Sequence, residues 1–366
     1  MYLTKEDLNT LLNKRDLTQE SDHCISLIEN DIKDTLNKHY GIIPKMHRGN
    51  AIVSMEDNYA SLGYNANEVT LGARYTKYLS EDTMLRTHMT STIPPLLKSY
   101  QKDEDKLWMC SGVVYRRDVR DKTHVGEPHQ MDIWHLTEKQ KTREDLLKLV
   151  SLIISVIEKH KKKKIKWRYN ETSHHYTDDG IEIEIYHNNQ WLELLECGLI
   201  SKQLLENNGL KEYSGLALGL GLERLVMIIK DIDDIRILYS QKEEIKSQMK
   251  NLNKYKKVSN QPSIKRDLSI AIDKNINEEE LTEIILNHVS QGVENIIESM
   301  SIVTETNYEK LPEVAIERLG MNENQKNVLL RIVLRDLDKS LIHEEVDKIH
   351  SDIYSLIHKG DSGYNI

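Results

Sequence analysis

The chain has 366 residues, 39% apolar and 30% charged, with a formal net charge of −9. Such a composition excludes a disordered chain, and at roughly 100–200 residues per domain it predicts two or three domains with ample core. No run of about 18 apolar residues exists, so no membrane span is expected, and the acidic balance is not that of a general nucleic-acid binder.

The three cysteines, Cys24, Cys110 and Cys197, lie far apart and form no CxxC. That spacing argues against a zinc site or a disulfide scaffold. The first 22 residues carry Glu6, Asp7, Asp16 and Glu20 and no apolar run, unlike a signal or transit peptide. Together these features lead to the expectation of a cytoplasmic protein. Phenylalanine is absent altogether, beside 17 tyrosines, so a single residue type is missing rather than aromatics as a class.

In chain order, residues 20–39 read as a helix, with Ile25, Leu27, Ile28, Ile32 and Leu36 on one stripe. Residues 142–158 read as a second, with Thr142 and Asp145 spaced as a capping pair. A lysine run, 159–166, follows where the helix dipole favours cations. Residues 181–198 form an antiparallel hairpin: Ile181 to Ile185 alternates with period two, Asn188-Asn189 is a turn signal, and Trp191 to Leu195 resumes the strand. Glu182, Glu184 and Glu193 lie within it. Three carboxylates on neighbouring strands require water, a cation or a metal to face. Gly215-Leu216-Ala217-Leu218-Gly219-Leu220-Gly221-Leu222-Glu223-Arg224 strips one strand face of side chains before an apolar helix, leaving space for a flat ligand or close packing. From Lys246 to Arg266 there are seven basic residues and no acidic one, which is either a solvated linker or a set of phosphate contacts. The remainder predicts strands at 268–272, 293–303 and 328–334 and helices at 278–289 and 344–357, an α+β, ferredoxin-like order.

Several segments acquire meaning together: Leu85-Arg86-Thr87-His88-Met89-Thr90-Ser91, Val114-Tyr115-Arg116-Arg117-Asp118, Thr123-His124, His129-Gln130-Met131-Asp132, the carboxylate hairpin, the glycine run, and Asp234-Ile235-Arg236. In this order they resemble the catalytic core of a class II aminoacyl-tRNA synthetase, most closely phenylalanyl-tRNA synthetase in its single-chain organelle form. Arg266-Asp267-Leu268-Ser269 and Glu344-Glu345-Val346 resemble that family's ferredoxin-fold anticodon-binding domain. The resemblance implies an α+β chain: an antiparallel-sheet catalytic domain with a short N-terminal helical segment over 1–245, a basic linker over 246–262, and the anticodon-binding domain over 263–366.

It also implies an ATP-dependent ligase that forms an aminoacyl adenylate and passes the acyl group to tRNA, with ATP and Mg²⁺ required. Arg116 and Arg224 would neutralise phosphates, with Arg117, Pro128, Gly219 and Gly221 completing the ATP site. Glu182, Glu184 and Glu193 would hold the metal, whose hardness favours carboxylate oxygens. His88, Thr90, Gln130, Asp132, His174, Tyr176, Glu196 and Ala217 would bind the amino acid. Lys254, Lys256, Lys257, Lys265 and Arg266 would contact tRNA. Fusion of both modules implies a monomer or homodimer with no second type of subunit.

The chain departs from the family pattern in the pocket. His174-His175-Tyr176-Thr177 stands for Phe-Pro-Phe-Thr, Asp132 for Glu, Thr90 for Ser, Pro128 for the phenylalanine that stacks on adenine, and Glu196 for a glycine. Leading is phenylalanine as substrate, with the missing phenylalanine reflecting an enzyme translated under shortage of its own cognate residue. Alternatives are a paralogue for another aromatic or polar amino acid, a catalytically inactive tRNA-binding regulator, and a sequence built without phenylalanine.

Overall fold

The computed structural model describes residues 2–65, 72, 74–101, 105–258, 261–337 and 339–361. The chain divides into two compact units: Met1–Arg116, Glu127–Asp233 and Glu243–Lys256 make the first, and Arg117–Gly126, Asp234–Lys242 and Lys257–Ile366 the second.

The strands of the first unit are β1 (Lys45–His47), β2 (Ile52–Ser54), β3 (Thr83–Leu85), β4 (Lys106–Val113), β5 (His129–Thr137), β6 (Trp167–Glu171), β7 (Thr177–His187), β8 (Gln190–Ile200) and β9 (Ser214–Gly221). Seven form one sheet in the order β1-β4-β5-β9-β8-β7-β6. β1 runs parallel to β4 and every other pair is antiparallel. β2 and β3 form a separate ribbon.

Local chemistry explains the elements. The Thr142 hydroxyl accepts from the Asp145 amide while the Asp145 carboxylate accepts from the Thr142 amide, a capping box that starts the helix Arg143–Lys161. The helix Cys24–Tyr40 stops at Gly41, whose φ of 68° a side chain would resist. Asn188 and Asn189 turn the β7–β8 hairpin with φ of 48° and 65°, the pairing a type I′ turn needs. Alternation then divides the sheet. Met131 and Ile133 of β5, Ile183 of β7 and Leu195 of β8 are buried. The helices Cys24–Tyr40, Arg143–Lys161 and Leu222–Lys230 pack together, the latter two against β8 and β5 respectively. The other face carries rows of directly paired residues, Asp132–Gly219–Glu196–Glu182 and Trp134–Ala217–Gly198.

The two lysine-rich runs are absorbed into this unit more than their composition suggests. Lys159 and His160 contact Asp31, Lys161 binds Asp231 and the Ile228 carbonyl, and Lys164 binds Glu158. Residues 246–256 of the expected linker also belong here. Met249 and Tyr255 are buried, and the buried Lys230 ammonium donates to the carbonyl oxygens of Gln248, Asn251 and Asn253 at 2.9, 2.8 and 2.9 Å. Two apolar anchors and three carbonyls outweigh the solvation of the intervening lysines. Positions 259–260 of that linker lie outside the described residues.

The second unit contains β10 (Ile264–Asp273), β11 (Ile297–Asn307) and β12 (Gln325–Leu334), ordered β10-β12-β11 and antiparallel. The helices Glu278–His288 and His343–Ile357 pack on them around Leu268, Ile270, Ile285, Leu330 and Ile353. The ferredoxin-like α+β expectation holds here with one correction: 293–303 is not a single strand. Gly292, at φ 93°, starts a helical turn Val293–Ile296, and the strand begins at Ile297. The helix Glu313–Leu319, stopped at Gly320, is additional. Asp234 and Arg236 sit in a buried ion cluster with Glu298 and Arg335.

Candidate active site

The site is a cavity of ≈ 390 Å³ in the first unit. β5, β9 and β8 supply its floor: Gln130 and Asp132, Gly219 and Gly221, and Glu193 to Glu196. A Cβ at Gly221 would meet nothing within 4 Å, and one at Gly219 would meet only the Asp132 carboxylate, at 3.5 Å. Packing therefore does not demand glycine at either position, and the bare floor is room for a ligand. Gly215 differs, because a Cβ there would strike the His135 carbonyl at 2.4 Å.

Arg116 and Arg224 both line this cavity. Arg116 donates from Nε to the Thr87 carbonyl at 2.7 Å, which fixes the guanidinium. Arg224, in the first turn of Leu222–Lys230, donates to the Glu193 carbonyl at 3.0 Å and lies 3.4 Å from the Glu193 carboxylate. The neighbouring Glu223 is held from behind. It accepts from the His129 amide at 2.9 and 3.0 Å and pairs with His129 Nδ1 at 2.5 Å, while the Leu17 amide donates to His129 Nε2 at 2.9 Å.

Asp132 is the deepest carboxylate of the cavity. Thr90 donates to it at 2.7 Å. Burial pushes its pKa up to about 7, with Glu196 adding to the rise and Thr90 and Arg116 opposing it. His88 has both ring nitrogens buried without a hydrogen-bond partner among the described residues. Burial, then the Arg116 charge, lower its pKa to about 3, so the ring is neutral. Gln130 accepts from the Met89 amide at 3.3 Å. Tyr176 stacks on Trp134 and on His174, at 5.9 Å between centroids in each case. His174 Nε2 lies 3.3 Å from the Glu196 carboxylate. That contact above all holds the Glu196 carboxyl below its usual range.

Of the residues singled out in the sequence, the cavity brings together His88, Thr90, Arg116, Gln130, Asp132, Tyr176, Glu193, Glu196, Gly219, Gly221 and Arg224. The others fall elsewhere. Arg117 belongs to the second unit and faces Glu283 and Glu280, so its expected ATP role is corrected to an ion pair. Pro128 does not line the cavity, and its carbonyl accepts from the Val114 amide at 2.9 Å. Ala217 is buried in the apolar cluster with Trp134. His174 is not in the wall and lies behind it, against Tyr176 and Glu196. Glu184 is turned to Arg168 and Asn170, and Glu182 is not in the wall. Among the described residues, no three His, Cys, Asp or Glu are placed to hold a metal ion, so the expected triad Glu182, Glu184 and Glu193 does not form a cage.

Lys254 pairs with Asp231 in the first unit, and Arg266 with Asp347 in the second. Lys256, Lys257 and Lys265 are exposed. The wall also includes Thr87, Leu194, Leu195 and Leu220, which lie within the motifs but were given no role, and Tyr59, Tyr64 and Tyr75, which lie outside them. Tyr64 stacks with His88 and leans on His175. These tyrosines precede the first motif, and no periodicity marks them.

The fold and this floor define an enzyme class: the chain belongs to the class II tRNA synthetases. A family model described as the tRNA synthetases class II core domain (F) matches residues 7–249, and one described as the ferredoxin-fold anticodon binding domain matches residues 259–360. Among similar proteins are the chloroplastic/mitochondrial phenylalanine--tRNA ligase of Arabidopsis thaliana, 28% identical, covering 94% of this chain and 78% of that protein, and the mitochondrial phenylalanine--tRNA ligase of Saccharomyces cerevisiae, 24% identical, covering 95% and 88%. The phenylalanine--tRNA ligase alpha subunit of Psychrobacter arcticus is 31% identical over 50% of this chain and 51% of that one. These relatives overturn the expectation of a cytoplasmic protein, since those matching nearly the whole chain are named as organelle enzymes. No described helix is long and apolar enough to cross a membrane.

Proposed function

We propose that this enzyme joins phenylalanine to its tRNA through an aminoacyl adenylate. The observation that carries this reading is the convergence of Arg116 and Arg224 on one glycine-floored cavity that also holds Asp132. Adenylation brings two anions together: a carboxylate oxygen bonds to the α-phosphorus of ATP, and the bond to the departing pyrophosphate breaks. Guanidinium groups fixed in advance offset that repulsion without reorganising during the step. Arg116, anchored on Thr87, faces the reacting carboxylate and α-phosphate, and Arg224 faces the leaving phosphates. Asp132, Thr90 and Gln130 receive the substrate ammonium. Transfer to the 3′ end of tRNA then needs position rather than a protein nucleophile.

ATP fits the bare floor and the two arginines. Glu193 is the one member of the expected metal triad in the wall, in keeping with Mg²⁺ bound largely by phosphates and water. Names of relatives that span both modules support phenylalanine as substrate. So does the missing phenylalanine, because a chain that supplies Phe-tRNA and contains none can be made when that product is scarce. A single chain carrying both modules supports action without a second type of subunit, as a monomer or homodimer.

ATP–pyrophosphate exchange with the twenty amino acids tests the reading, which expects phenylalanine to give the highest kcat/KM. R116A and R224A should each lower exchange by about 10²–10³. Exchange indifferent to phenylalanine would refute the substrate assignment.

A further inference from the structure

The cavity floor has an order that the choice of residues makes informative. Asp132 on β5, Gly219 on β9 and Glu196 on β8 are direct register partners, so their side-chain positions lie in one row on one sheet face. Neighbouring strands are about 4.8 Å apart, which puts two carboxylate-bearing residues roughly 10 Å apart at the backbone with a side-chain-free gap between them. The Asp132 carboxylate borders that gap, 3.5 Å from where a Cβ on Gly219 would stand, and the part-exposed Glu196 side chain lies against His174 at its other edge. Both carboxylates line the cavity, and both feel the Arg116 charge and, in the case of Asp132, each other. The next row, Trp134–Ala217–Gly198, is apolar and is covered by Tyr176. Two carboxylates lining one cavity, Asp132 buried and Glu196 part exposed, repel unless a cation stands between them, and the α-ammonium of an amino acid is a cation whose own carboxylate lies two bonds further on, toward Arg116.

We infer that the substrate ammonium is clamped between Asp132 and Glu196 across Gly219, with Glu196 a second anionic binding residue that His174 holds in place. The inference rests on reading the cavity as an amino-acid adenylation site. Asp132 is short and engaged by Thr90, so one carboxylate reaches only part way across the gap. Glu196, one methylene longer and braced at 3.3 Å by His174, supplies the opposing acceptor. Arg116 neutralises part of the summed negative charge.

The test is ATP–pyrophosphate exchange by the full chain with phenylalanine and with its α-hydroxy analogue, 3-phenyllactate, which keeps the carboxylate and ring but lacks the ammonium. E196Q, which preserves shape and removes charge, should raise the KM for phenylalanine at least tenfold and leave the KM for ATP within twofold. It should also narrow the preference for phenylalanine over phenyllactate by a similar factor. H174Q should shift the phenylalanine KM in the same direction by less. An E196Q enzyme with an unchanged phenylalanine KM and preference would overturn the clamp, as would an E196Q defect relieved by added Mg²⁺ rather than by added amino acid. Should E196Q not fold, E196D keeps the charge, shortens the reach, and should give the same KM shift. If the wild type exchanges with a different amino acid, the phenylalanine assignment fails alone, and the same variants test the clamp on that substrate and its α-hydroxy analogue. If no amino acid supports exchange, both readings fall.

Discussion

Asp132 ties the chemistry to pH. Its pKa is pushed up to about 7 by burial, so the ligand-free site at pH 6 holds mostly the neutral acid. An ammonium binds the ionised form. Binding below pH 7 must therefore expel a proton, and the KM for the amino acid should rise about tenfold between pH 8 and pH 6, following the fraction ionised. The sign for stability is the opposite. A carboxyl with a raised folded-state pKa favours folding at low pH, and its contribution is lost as pH rises from about 4 to 7. Calorimetry of amino-acid binding in buffers of different ionisation enthalpy should detect proton release at pH 6 and almost none at pH 8.5. D132N should abolish the release and raise KM at every pH. A pH-independent KM would place the ammonium elsewhere. Much at this scale was legible in the sequence, because His88, Thr90, Arg116, Gln130, Asp132 and Arg224 sit in motifs whose spacing is dictated by chemistry. Tyr59, Tyr64 and Tyr75 were not, because a cavity wall asks only for shape and apolar surface and leaves no spacing to read. Arg117 was misread because adjacency to Arg116 says nothing of direction: the chain leaves the first unit there, and the second guanidinium meets Glu283.

At the scale of elements, two helices are started by different devices. Arg143–Lys161 uses a local capping box, visible in sequence because both partners lie within four residues. Leu222–Lys230 has no side-chain cap at Gly221. Its first turn is held through Glu223 by His129, 94 residues away, and distance in sequence hides such a bond. The devices should differ in cost. T142A should destabilise the first unit by about 1 kcal/mol. H129A, which takes the imidazole away from the buried Glu223 carboxylate, should cost roughly 3 kcal/mol. Because Arg224 adjoins Glu223, H129A should also raise the KM for ATP in exchange, whereas T142A should not. Denaturant unfolding and ATP titration distinguish the two, and equal effects on both readouts would show that His129 is a packing residue only. The same logic explains the misjudged strand at 293. Val293 and Ile296 suit a strand by propensity, but Gly292 in the left-handed region and a four-residue turn fix a helix instead, a backbone choice that apolar spacing does not reveal.

For the whole molecule, an acidic chain must hold a polyanion, and local charge resolves the conflict only in part. Of the basic positions expected to meet tRNA, Lys254 and Arg266 are already paired with Asp231 and Asp347, so each would have to exchange a partner to bind phosphate. Lys256 and Lys265 are exposed, as is Lys257, which also has a partner of its own to exchange, and the three together carry the expectation. Each phosphate contact releases condensed counterions, so the logarithm of affinity falls with the logarithm of salt with a slope of about 0.7–0.9 per contact. Changing all three to glutamine should reduce that slope by roughly 2 and weaken tRNA binding most at low salt. The K254Q and R266Q variants should change it far less. Amino-acid activation, which the proposed reading sets on the β5–β9–β8 floor and which needs no tRNA, should proceed at the wild-type rate in all of them. Filter binding across 50–300 mM salt, run beside pyrophosphate exchange on the same preparations, measures both quantities. An unchanged slope in the triple variant would remove these lysines from the tRNA interface and leave the −9 chain to bind through other groups.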